Sequence, residues 1–295
     1  MNRLLVDRVA WVLIRALSAS SVALLLVVAG VLFVKAAPLM GSVPLANLLL
    51  SSSWYPLRGD FGFMPFIAGT LTVTGVAMVL AVPVSLLTAI YLSEYASRRM
   101  RDTVKPLIDL LAGIPSVVYG LWGVAFVVPA VRYRVAPLFG VSSTGYCVLS
   151  AGVVLAIMVF PLIISVAEEV LRAVPQGVRE TAVSLGATRW QTVKHVVLKE
   201  ANVGVLAAVI LGFTRAMGET MAVLMVVGNV ARVPGSVFDA AYPLPSLIAN
   251  NYGEMMSLPM YDSALMFAAL TLLVVVAGFT VVARALPRRI ARLQR

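Results

Sequence analysis

Two stretches of this chain, Phe61–Ser93 and Val135–Ala167, pass without one charged residue. A water-soluble fold gives nearly every element a polar face, whereas a helix that crosses a bilayer needs roughly 20 mainly apolar residues in a row. The rest of the chain follows suit. Hydrophobic residues make up 61% of it, charged residues 12%, and the mean hydropathy is +0.97, well outside the usage of soluble domains. An all-α integral membrane protein with six transmembrane helices is expected, its spans at about 16–34, 66–92, 107–129, 146–167, 201–229 and 263–283. The two uncharged runs exceed one crossing, so their ends belong in loops or at the interface.

Around these spans the chain divides into an N-terminal interfacial segment at 1–15, a six-span domain at 16–285 and a basic tail at 286–295. Arg3, Arg8, Trp11 and Arg15 suit an interfacial helix. The apolar run behind them is too long for a cleaved signal, whose core has about 7 to 15 residues, so a retained first span is expected. The connection at about 168–200 is the longest on one side, and loops at about 35–65, 130–145 and 230–262 lie on the other.

Basic residues orient the spans, because Lys and Arg accumulate in cytoplasmic loops. Arg3, Arg8 and Arg15 precede the first span; Arg98, Arg99, Arg101 and Lys105 lie between the second and third. Arg172, Arg179, Arg189, Lys194 and Lys199 fall between the fourth and fifth, and Arg284, Arg288, Arg289, Arg292 and Arg295 follow the sixth. The opposite loops hold only Lys35, Arg58, Arg132, Arg134 and Arg232. Both termini are therefore expected in the cytoplasm, with the chain as a multi-pass protein of the plasma or inner membrane. The net charge of +10 reports topology and attraction to a lipid bilayer, with no reason to invoke nucleic acid.

Several chemistries are excluded. One cysteine, Cys147, allows no intrachain disulfide, and one histidine, His195, leaves a metal site without ligands. A phosphate-cradling ATP loop needs Gly before Lys, yet none of Lys35, Lys105, Lys194 or Lys199 follows a glycine. The chain is not expected to hydrolyse ATP by that route, and no catalytic residue or bound cofactor is expected in it.

The 168–200 connection has the pattern of a compact helical hairpin. Pro175 suits a first turn, Val178, Ala182 and Leu185 fall on one face, and Gly186 can take the left-handed conformation that ends a helix. Thr188 with Gln191 forms a capping-box pattern, after which Trp190, Val193 and Val197 repeat at helical spacing. A solvated hairpin and a ridge gripped by a partner fit this pattern equally well. The order Glu180, Thr181, Ala182, Gly186, then Val196 and Leu198 resembles the EAA loop of ABC importer permeases, which docks into an ATPase subunit. Thr181 stands where that pattern has alanine, and Lys199 where it has proline. The resemblance implies that Glu180, Ala182, Gly186, Ala187 and Trp190 form the ATPase dock.

The segments FGFMPFIAGTLTVT, AIYLSEYA, DLLAGIPSVVYGLWG and RAMGETMAVLMVVGN extend the likeness. They are similar to permeases of the phosphate-specific ABC importer, and GETMAV followed by VVGN resembles its PstC-type subunit. That resemblance implies a type I importer permease forming half of a phosphate pathway by alternating access. It also implies a PstA-type permease partner, two copies of an ABC ATPase that hold ATP and Mg, and an extracytoplasmic phosphate-binding protein. A permease for sulfate or molybdate, or an ion-coupled secondary carrier, are the alternatives.

Arg215 and Glu219 sit inside the fifth span, where a charge costs roughly 2.5 to 3.5 kcal/mol to insert. One helical turn separates them, so they can pair. Either they neutralise each other and lock helix packing, or they mark a substrate pathway. Guanidinium matches phosphate oxygens, and a carboxylate can accept a hydrogen bond from the protonated oxygen of hydrogen phosphate. Arg215 with Glu219 and the hydroxyl of Thr220 are accordingly expected to line that pathway. Gly113 and Pro115 break the third span, where Ser116 and Tyr119 are further lining candidates and a packing kink is the competing reading. Thr70 and Thr74 are expected to bond their own helix, and Met217, Met221 and Met225 to pack along one stripe. Trp54 and Tyr55 suit an interfacial aromatic belt, and the segment from Ala240 to Pro259 either lies across the pore mouth or meets another protein.

Overall fold

A computed structural model describes the backbone of residues 2–254 and 260–293, and side chains for 7–254 and 260–283. Arg3, the arginines of the 286–295 tail, and Arg284 lie outside the described side chains.

The chain is a helical bundle. Helix α1, Asn2–Ser42, runs through the basic segment and the apolar run without a break; at 1.5 Å per residue it reaches about 60 Å, twice a hydrocarbon core. Arg15 lies 3.7 Å over the Trp11 ring. A short helix α2, Leu45–Leu50, leads to a two-residue antiparallel hairpin of β1, Trp54–Tyr55, and β2, Asp60–Phe61. The Trp54 ring packs edge-on against Phe61, Phe63, Phe66 and Tyr261, while Tyr55 stays exposed.

Helix α3, Met64–Tyr95, ends in a π turn at Tyr91–Tyr95. The expected third span at 107–129 begins too early. Residues Arg98–Gly113 form a separate amphipathic helix, α4, capped by the Ser97 hydroxyl on the Met100 amide. Its charges, Arg98 to Asp109, return at helical spacing, and Gly113 and Pro115 end it. The third span is α5, Ser116–Leu138, wound with two π turns. It occupies most of the sequence expected to be an outer loop.

Helix α6, Val148–Ala173, is the axis of the bundle: most of its apolar stretch is buried, whereas none of that of α1 is. It packs along α3, and its glycine Gly152 and the facing glycines Gly123, Gly204 and Gly212 bring neighbouring helices close. A Cβ on Gly212 would stand 2.6 Å from Ile163 Cγ1. The hairpin follows as α7, Gln176–Ser184, and α8, Arg189–Glu200. A 72° bend leads from α8 to α9, Asn202–Met217.

The expected continuous fifth span at 201–229 is broken. Helix α9 spans about 24 Å, stops at Met217, and resumes only as the short α10, Met221–Val226. Gly228 and Asn229 then take left-handed conformations, φ +94° and +52°, turning the chain back into the bundle. Residues 241–247 are buried, and helix α11, Leu244–Asn251, packs on α3 and α12. Thr70 explains the anchorage: its hydroxyl donates to Phe66 O, as expected, and also accepts from the Leu244 amide at 2.9 Å. The last helix is α12, Tyr261–Leu293. Five of these helices, or six with the bent pair, are long and apolar enough to cross a membrane.

Candidate functional site

The break after α9 concentrates the polar residues of an otherwise apolar region. Arg215 lies in the last turn of α9, Glu219 in the gap, and Thr220 at the N-cap of α10. The expected Arg215–Glu219 pair does not form. Once the helix stops at Met217 the two side chains no longer share a continuous face, and the free amides of α10 take the carboxylate instead. Glu219 Oε1 accepts from the Thr220 amide at 3.1 Å and the Ala222 amide at 3.4 Å. Thr220 Oγ1 donates to Gly218 O.

Arg215 is left exposed, and among the described residues no carboxylate lies within ion-pair distance of it. It is within electrostatic reach of Tyr119 on α5. Tyr119 is buried, and its hydroxyl donates to Leu111 O at 2.8 Å, closing the gap between α4 and α5. Ser116 sits one turn before Tyr119, half-buried. The break thus brings Arg215, Glu219 and Thr220 together, while Tyr119 lines a separate apolar cleft with Leu111, Ile114 and Trp122.

Close packing holds this break in place. A Cβ on Gly120 of α5 would meet Met225 Sδ at 2.5 Å and Ala222 Cα at 3.2 Å, so a side chain there would displace Met225 and press on the α10 backbone. Glu219 also lines a small cavity with Thr70 and Thr74, between α3 and the buried segment at Pro243. Of the three methionines, Met217 is fully buried but Met221 is exposed. The break rotates them off one stripe.

The hairpin forms as its local signals require. Gly186 has φ +85° and closes α7, with the Ala187 amide donating to Ala182 O. The Thr188–Gln191 capping box is complete in both directions. Its surface differs from the expected faces. Ala182, Val193 and Val197 turn inward, while Val183, Leu185 and Trp190 stand 58%, 83% and 51% exposed. Glu180 is exposed beside them and Ala187 is half-buried.

Sequence reasoning missed the ion pairs at this end of the bundle. Glu94, in the π turn of α3, meets Arg179 of α7, and buried Glu168 of α6 is ringed by Arg101, Lys105 and Arg172 at 3.9, 3.8 and 3.3 Å. Apart from the Glu168–Arg172 pair, one turn apart on α6, each joins residues from different elements. The only local signal was a carboxylate at the edge of each uncharged run.

Residues 81–292 match the family described as binding-protein-dependent transport system inner membrane component. Over 260 residues the chain is 37% identical to the phosphate transport system permease protein PstC of Xylella fastidiosa, covering 83% of this chain and 80% of that protein. It is 35% identical over 252 residues to the protein of the same description from Haemophilus influenzae, at 81% and 79% coverage. Among solved structures, an inward-facing form of the MetNI methionine ABC transporter superposes with a TM-score of 0.58 at 21% identity, over 75% of this chain and 93% of that one. That likeness concerns fold.

Proposed function

For a chain that belongs to the binding-protein-dependent inner-membrane transport components, and within them to the PstC-type phosphate permeases, we propose import of inorganic phosphate driven by ATP. The chain is a permease subunit with the type I ABC importer fold, and ATP hydrolysis belongs to a separate subunit. It supplies half of the pathway. A PstA-type permease supplies the other half, two ATPase copies holding ATP and Mg grip the hairpins, and an extracytoplasmic phosphate-binding protein delivers the anion. Both termini lie in the cytoplasm, on the side of the hairpin, in the plasma membrane.

The observation that carries the pathway is Arg215: exposed, without a carboxylate partner among the described residues, and fixed at a helix break. A guanidinium inside a membrane span is retained at a cost, and a transient phosphate offers it two-pronged hydrogen bonding. Glu219, held by the α10 amides, keeps a negative charge nearby that limits how long the anion stays. Thr220 supplies a hydroxyl, and Tyr119 holds the α5 wall. Glu180, Gly186, Ala187 and the Leu185–Trp190 ridge form the dock, with Ala182 packed beneath them. ATP-driven movement of the hairpin rocks α6 and α9 and exposes the break to either side in turn.

The purified complex tests this reading through its hydrolysis rate. Phosphate-loaded binding protein should raise ATP hydrolysis at least several-fold, and the same protein without phosphate should not. Stimulation by a sulfate- or molybdate-binding protein instead assigns the chain to another oxyanion.

A further inference from the structure

Glu94 occupies a position that the pathway and the dock leave unexplained. Its carboxylate receives a two-pronged contact from Arg179, Nη2 to Oε1 at 2.8 Å and Nε to Oε2 at 3.2 Å. Both side chains are largely out of solvent, 10% and 15% exposed. Arg179 spends its other donors on Leu171 O, at 2.8 Å, and Val174 O at the end of α6. The main-chain carbonyl of Glu94 accepts from Arg189 of α8, whose guanidinium lies 4.7 Å over the Tyr95 ring. Ser93 Oγ donates to Oε1 at 3.1 Å. One turn of α3 therefore holds both helices of the hairpin and the end of α6.

The surroundings show why this matters. A cleft of about 610 Å³ opens between the hairpin and the ends of α3 and α6, lined by Glu94, Arg101, Arg172, Val183 and Arg189 among others. Apolar packing does not fill that space, so α7 is tied to the bundle across the cleft by polar contacts. A desolvated ion pair is a poor source of stability, since its desolvation offsets most of the attraction; its attested use is to fix one arrangement over others. A fork of two hydrogen bonds fixes direction as well as distance. Removing it would leave α7 held to the end of α6 through Arg179 and the Leu171 and Val174 carbonyls, but without its own side-chain tie to α3.

We propose that Glu94 is a positioning residue that latches the ATPase-docking hairpin to the second span, so that hairpin movement becomes span movement. Through α3 the displacement reaches α6, along which it packs, and α9, which carries Arg215. The inference rests on the ATP-driven permease reading. It adds a residue through which force passes but which touches neither the anion nor, by this geometry, the ATPase.

The test measures phosphate uptake and ATP hydrolysis together in proteoliposomes containing the complete complex, for wild type, Glu94→Gln and Glu94→Asp. Glu94→Gln keeps the size and removes the charge; it should retain the ATPase on purification and still hydrolyse ATP, while phosphate moved per ATP falls at least fivefold. Glu94→Asp, still able to receive Arg179, should recover a large part of that ratio. A merely structural role would lower uptake and hydrolysis in proportion. Such a proportional loss, an unchanged ratio in Glu94→Gln, or loss of the ATPase from both variants overturns the latch. Wild-type complex without ATP-dependent uptake refutes the permease reading instead.

Discussion

At Arg215 the account turns on one unshared charge. Hydrogen bonds to charged groups contribute roughly 1.5 to 3 kcal/mol, so removing the guanidinium from a transient phosphate contact corresponds to about tenfold to a hundredfold in rate. Arg215→Gln should therefore lower ATP-driven phosphate uptake by that range, with normal recovery of the ATPase in the purified complex. Glu219 combines two roles that two substitutions separate. Its carboxylate caps α10, and losing a cap costs about 0.5 to 2 kcal/mol. Glu219→Ala should lower the melting temperature of the complex, while Glu219→Gln, which keeps an acceptor oxygen, should not; both should slow uptake. The sequence displayed these two charges plainly. It did not display their separation, because four residues of spacing imply a pair only if the helix continues, and Gly218 ends it.

Among the elements, those with self-contained signals were the legible ones. Gly186 and the Thr188–Gln191 box specify the hairpin from residues within it, and both appear as written. Gly186 has open space around it, so its requirement is conformational alone: a side chain at φ +85° costs about 1 to 2 kcal/mol. Gly186→Val should loosen the hairpin and reduce ATPase recovery on co-purification, and Trp190→Ala should do the same by removing part of the exposed ridge. The boundary between α4 and α5 was not legible, since Leu107, Ile108, Leu110 and Leu111 read straight into the following apolar span. What separates them is tertiary: Arg101 and Lys105 turn to Glu168 on α6, and Tyr119 reaches back to Leu111 O. Glu94 and Arg179 stand 85 positions apart; no local pattern announces such a contact.

For the whole molecule, composition fixed a membrane bundle before any motif was weighed, and the helices found are consistent with it. Helix-on-helix contact through Gly120, Gly123, Gly204 and Gly212 is where that bundle is most sensitive. Gly120→Val should separate α5 from α10 and lower thermal stability more than Gly113→Val, since Gly113 has nothing within 4 Å. The asymmetry of basic residues further requires that reporters fused to either terminus, or inserted beside Gly177, all read cytoplasmic. Uptake of labelled phosphate into proteoliposomes bearing the complete complex tests the central claim most directly. The account predicts accumulation only with ATP on the hairpin side, undiminished by excess sulfate or molybdate. Accumulation driven by an ion gradient without ATP, or equal competition by sulfate, would contradict it.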